Sequence, residues 1–112
     1  GRGGIVAYCG SNNLTDIEKR IVEGDSLAES VVDAMCYQIS KEIAMLGAVF
    51  SGRVDLIVLT GGMANNRRVV RSITSRVSYL APVDVIPGER EMISLARAAY
   101  GVLVGEAVAL DY

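Results

Sequence analysis

"DLIVLTGGMANN", running from Asp55 to Asn66, decides how the chain is read. From Val54 to Thr60 the residues are aliphatic or β-branched almost without a break, the pattern of a strand covered on both faces. The strand stops on Gly61-Gly62, and Asn65 or Asn66 then caps a helix running to about Tyr79, with Val69, Val70, Ile73 and Val77 on its apolar side. A turn needs one glycine, so two in succession imply that something comes very close to the main chain. Two readings stay open here. One is a tight strand-to-helix turn closed by an asparagine cap. The other is a bare backbone on which a flat ligand lies, with asparagine amides waiting beside a helix N-terminus that favours anions. The position suits the second, because ligands of open α/β sheets bind beyond the carboxyl ends of parallel strands. Neither G-x-x-x-x-G-K-[ST] nor G-x-G-x-x-G occurs at this turn, which excludes the familiar phosphate loops.

Upstream, Ile5 to Cys9 reads as a short strand or extended segment followed by a polar loop, Gly10-Ser11-Asn12-Asn13. Thr15-Asp16-Ile17-Glu18 fits a capping box that opens a short helix to about Glu23, stopped by Gly24. Residues 25–51 form the longest periodic segment. Leu27, Val31, Met35, Ile39, Ile43, Leu46 and Phe50 recur at intervals of three or four and predict one apolar helix face, widened by Val32, Cys36 and Ala44. Downstream, residues 82–86 predict a second strand closed by Pro87-Gly88. A last helix from about Glu89 turns Met92, Leu95, Ala96, Ala99 and Leu103 inward, with Gly105 as its stop. The order helix, strand, helix, strand, helix implies α/β architecture with parallel strands and right-handed crossovers. Two strands make a poorly shielded sheet, so an incomplete sheet is expected, and with it a single partial domain over residues 1–112.

Composition bounds the function classes. Of 112 residues, 51% are hydrophobic, and the mean hydropathy is +0.35, ample for a packed core. Eleven basic and thirteen acidic residues are spread through the chain, giving a net charge of −2, and no basic patch interleaved with aromatics points to nucleic acid. No apolar stretch reaches the roughly 18 residues of a membrane span. There is no histidine, which excludes Ser-His-Asp triads and Cys/His zinc sites. Cys9 and Cys36 read as reduced core residues of a cytoplasmic protein. The chain begins with glycine, which suggests a piece of something longer.

Several stretches together resemble the C-terminal part of the butyrate kinases, in the acetate kinase branch of the superfamily of acetate and sugar kinases and actin-like ATPases. "GGIVAYCGSNN" at 3–13 is similar to the segment before that family's mobile connector. "DLIVLTGGMANN" resembles its adenosine motif, and "APVDVIPGEREMISLARAAYGVL" at 81–103 resembles its closing strand and helix, with the P-G-E-x-E-M signature. "AMCYQISKEIA" at 34–44 resembles its long helix. Cys9, Ser11 and Asn13 depart from the pattern, standing where an apolar residue, threonine and aspartate are expected.

The resemblance implies the C-terminal, nucleotide-binding part of a ribonuclease H-like, actin-like ATPase fold, with the N-terminal domain lying upstream of Gly1. It implies phosphoryl transfer between ATP and a short-chain carboxylate, giving an acyl phosphate and ADP with Mg²⁺, in a cytoplasmic homo-oligomer. Gly61, Gly62 and Met63 would line the adenosine pocket, with Asn66 and then Asn65 hydrogen-bonding the nucleotide. Arg67 and Arg68 are candidates to reach phosphate, against the plainer reading of a solvated first helical turn. Glu89 or Glu91 corresponds to a magnesium-linked glutamate, although either serves equally to stabilise a helix N-terminus. The 112 residues alone are expected to be inactive. The alternative is a noncatalytic fragment or an oligomerisation module, whose long apolar helix face pairs with another copy.

Overall fold

A computed structural model describes residues 3–12, 14–86, 88, 90–92, 94, 98 and 106–108. The expected positions Asn13, Glu89, Leu95, Ala96, Ala99, Leu103 and Gly105 lie outside the described residues.

Among the described residues, four parallel strands build one sheet in the order β3-β2-β1-β4. β1 is Gly3–Tyr8, β2 Val54–Thr60, β3 Val83–Val85 and β4 Glu106–Val108. The parallel α/β arrangement is the expected one, but the sheet is wider than the two strands predicted. β1, predicted only as a short strand or extended segment, is an inner strand. It pairs with β2 from Gly4↔Leu56 to Tyr8↔Thr60 and with β4 from Val6↔Glu106 to Tyr8↔Val108. Its sequence understates this because it is short and opens on glycines, while its partner β2 lies some fifty residues away.

Three helices cover one face: α1 (Thr15–Val22), α2 (Ser26–Val49) and α3 (Arg67–Val77). Ile5, Ala7 and Cys9 of the first strand and its end join Ile57 and Leu59 of the second in packing against Val32, Cys36, Ile39, Ile43, Val69 and Ile73. The opposite face buries Val6, Val58 and Met92, with Leu56 and Ile86 packed against them. β2 is therefore apolar on both sides, as its unbroken run of aliphatic residues requires.

Two local expectations are corrected. The apolar stripe of α2 does not stay on one face: Met35, Ile39 and Ile43 are buried, but Leu27 is 74% and Val31 37% exposed. Each step of four residues overshoots a full turn by about 40°, so four steps from Leu27 to Ile43 carry the stripe about 160° around the helix. Ala28 and Val32, one residue further along, take the inward places instead. α2 also starts on a cap that the pattern did not reveal, the Asp25 carboxylate accepting the Ala28 N–H at 3.1 Å. The second correction is the capping box. Leu14 occupies the N-cap of α1, with no side-chain cap bond, and Glu18 is spent elsewhere.

Candidate functional site

Parallel strands bring their following loops to one edge. Residues 9–12 follow β1, residues 61–66 follow β2, and Gly88 lies beyond β3. The chain runs from β1 through β2 to β3 and then crosses back to place β4 on the other side of β1, so the strand order reverses at β1. Such reversals are where open α/β sheets make room for ligands.

The glycine pair has an intramolecular explanation. Gly61 has φ +96°, and a Cβ there would stand 2.6 Å from the Gly10 carbonyl oxygen and 3.0 Å from the Tyr8 ring. A Cβ on Gly62 would run into the Ser11 carbonyl. The Met63 N–H donates to Gly10 O at 3.1 Å, and Cys9 N–H to Thr60 O at 2.8 Å. The loop after β1 thus lies directly on the loop after β2, in the space that side chains at 61 and 62 would need. What comes close to this main chain is another stretch of the same main chain. Met63, 3% exposed, belongs to the core between sheet and helices.

The asparagines face outward. Gly62–Asn65 forms a 3₁₀ turn, and Asn66 caps α3, its Oδ1 accepting the Val69 N–H at 3.0 Å. Asn65 is exposed and makes no hydrogen bond through its side chain among the described residues. Both asparagines line an open cleft of about 540 Å³ between this turn and α1. Arg67 stands beside them, and Thr15, Glu18, Lys19, Val22 and Glu23 form the opposite wall. The sequence reading missed the α1 wall. Its one signal is Val22, an apolar residue at the helix end that remains exposed.

Electrostatics separate the two arginines. Arg68 donates through Nε to both Glu18 oxygens at 3.2 Å, its Nη2 lies 3.1 Å from Oε1, and its Nη1 lies 3.8 Å from Glu29. These bonds hold the Glu18 carboxyl below its ordinary range, with Asn66 Nδ2 donating a further bond at 3.5 Å. Arg68 is therefore occupied, whereas Arg67 is exposed and opens onto the cleft. The cleft thus gathers an apolar residue, the unpaired Asn65 amide, the Glu18 and Glu23 carboxylates and the cations Lys19 and Arg67 beside the N-terminus of α3.

Glu91 is exposed, and its carboxylate lies against Gly88. Among the described residues no three Asp, Glu, Cys or His side chains gather where they could hold a metal ion. Nucleophilic cysteine chemistry is unsupported as well. Both thiols are free and buried, and burial, with the neighbouring Cys36, pushes Cys9 up to about 12. A thiol so raised stays protonated at neutral pH.

Residues 2–98 match the model of the Acetokinase family. Butyrate kinase 2 of Clostridium acetobutylicum is 44% identical over 112 residues, which is 100% of this chain and 32% of that protein. The probable butyrate kinase of Enterococcus faecalis is 41% identical over 112 residues, again 100% of this chain and 31% of that protein. That of Coprothermobacter proteolyticus is 45% identical over 112 residues, 100% of this chain and 32% of the relative. The chain thus spans about a third of the length of the relatives it matches. With a parallel sheet whose carboxyl edge gathers the motif segments, and a family match over residues 2–98, the chain belongs to the acetokinase family.

Proposed function

We propose that this chain is the nucleotide-binding part of a carboxylate kinase that moves a phosphoryl group between ATP and butyrate, giving butyryl phosphate and ADP. In this reading adenosine sits in the cleft between α1 and the 62–66 turn. Val22 supplies apolar contact, Asn65 and Asn66 supply amide hydrogen bonds, and Arg67 faces the phosphates. Gly61, Gly62 and Met63 act behind the cleft, shaping the turn rather than touching the base. The observation that carries the reading is spatial: the stretch that resembles the family's adenosine motif ends in this cleft. Butyrate as acceptor is supported by the names of the relatives. ATP brings Mg²⁺ with it in such transfers, and the metal offsets charge on the transferring phosphoryl group. Of the two glutamates considered for it, Glu91 stands exposed at the same sheet edge. The 112 residues alone do not phosphorylate butyrate on this reading, and the complete enzyme works as a cytoplasmic homo-oligomer.

Calorimetric titration of ADP into the folded chain tests the cleft. Saturable binding is expected, weakened about two- to tenfold by Asn65→Ala, the loss of one hydrogen bond. No binding, or binding that neither Asn65→Ala nor Val22→Asp alters, overturns the assignment.

A second reading, an oligomerisation module, is favoured by one observation. Leu27, Val31, Met45 and Val49 all lie exposed on α2. A dimer that strengthens with concentration, in a chain that binds no ADP, favours the module.

A further inference from the structure

We infer that Glu18 is a positioning residue for the nucleotide, acting through Asn66; the inference rests on the reading of the cleft as the adenosine site. Glu18 belongs to the α1 wall, and its carboxylate reaches across to the other wall. There it accepts the Asn66 Nδ2 bond at 3.5 Å and is itself gripped by Arg68 at 3.1–3.2 Å. The Asn66 amide is therefore tied at both ends, its oxygen to Val69 N–H at 3.0 Å and its nitrogen to Glu18.

These partners favour one orientation of the amide, since a flipped group would set its oxygen against the Glu18 carboxylate and its nitrogen against the Val69 N–H. One Nδ2 hydrogen goes to Glu18, which leaves the other as the donor that Asn66 offers a ligand. A nucleoside acceptor, a ring nitrogen or a ribose oxygen, is the matching group. Rotamers locked by a supporting layer of hydrogen bonds are what turn a nearby amide into a reproducible contact.

Arg68 serves the same arrangement from behind. Paired with Glu18 and 3.8 Å from Glu29, it fixes the Glu18 carboxylate and ties α1, the start of α2 and α3 together around the cleft. Its charge is offset by those two carboxylates, so it is withheld from the nucleotide phosphates. The sequence offered Glu18 as a helix cap; the tertiary structure gives it this other task.

Adenosine and ADP, titrated in parallel, separate the possibilities. With the unmodified chain both bind. Glu18→Ala weakens both by about three- to tenfold, because the lost contact is to the nucleoside. Glu18→Gln, whose amide oxygen still accepts from Asn66, recovers most of that loss. An effect on ADP alone would point to a freed Arg68 acting on phosphate and would overturn the inference. So would a Glu18→Ala chain that melts earlier yet binds both ligands unchanged, since that is a purely structural role. Failure of the unmodified chain to bind either ligand overturns the adenosine reading and this inference with it. If Glu18→Ala does not fold, the Asn66 side-chain amide resonances of the unmodified chain decide. Adenosine should shift the Nδ2 proton that faces away from Glu18 more than the one that faces it, and two signals that move equally or not at all would overturn the inference.

Discussion

At Gly62 a single added methyl group meets the carbonyl of Ser11, a backbone atom that has no rotamer by which to move away. Gly4, inside β1, is the natural control, since its nearest neighbour to an added Cβ is 3.8 Å off. Gly62→Ala should therefore destabilise the chain by about 1–3 kcal/mol, the usual cost of overpacking. Gly4→Ala should stay within about 0.5 kcal/mol. Urea unfolding midpoints check both. Equal midpoints would mean that the loops after β1 and β2 are not in contact. Gly62 substitutions are accordingly poor probes of nucleotide binding, because they disturb the fold first. At this scale the sequence showed that side chains were excluded at 61 and 62, and stopped there. The identity of the intruder, Gly10-Ser11, depends on a loop fifty residues upstream.

Among elements, α1 is the one most dependent on its neighbours. Eight residues form too few internal hydrogen bonds to stand alone in water. It is anchored by buried Ile21 and by the bonds from Glu18 to Asn66 and Arg68. Because Arg68 holds the folded Glu18 carboxyl below its unfolded value, the bonds contribute stability at pH values above the unfolded one, about 4.3. That contribution is lost as pH falls through the lowered folded value. Urea midpoints measured from neutral pH down to about 3 should thus fall by a small increment that Glu18→Gln lacks, and the increment should shrink in high salt because the pair is a third exposed. Parallel curves for the two chains would show that the pair adds nothing. Helix content, the long α2 and the Asn66 cap were legible from periodicity and residue type. The partner of Glu18 was not, because Thr15 and Glu18 fit a capping box locally and only packing against α3 offered the carboxylate a cation instead.

For the whole molecule, the sheet order places β1 and β2 inside and β3 and β4 at the edges. Both inner strands are buried on two faces, with Ile5, Val6, Ile57 and Val58 almost fully enclosed. Amide hydrogen exchange should be slowest at residues 5–8 and 57–60 and faster throughout α1 and β3. Exchange at residues 5–8 as fast as in α1 would contradict the inner placement of β1. The stripe of Leu27, Val31, Met45 and Val49 belongs to this scale too, since only the folded chain shows which side of α2 remains uncovered.

The amino-acid order alone determined whatever a few neighbouring residues can specify. That covers the apolar run of β2, the existence of the three helices, the glycine break after Thr60 and the asparagine able to cap α3. Family resemblance was legible for the same reason, being carried by short contiguous motifs. Tertiary structure decided what those local features face. It made β1 an inner strand, added β4, turned Leu27 outward, laid the Gly10-Ser11 backbone over Gly61-Gly62 and drew Glu18 to Asn66 and Arg68. Each of those outcomes rests on contacts between segments far apart in the chain, whose free energy outweighs local preference and leaves no periodic trace in the sequence.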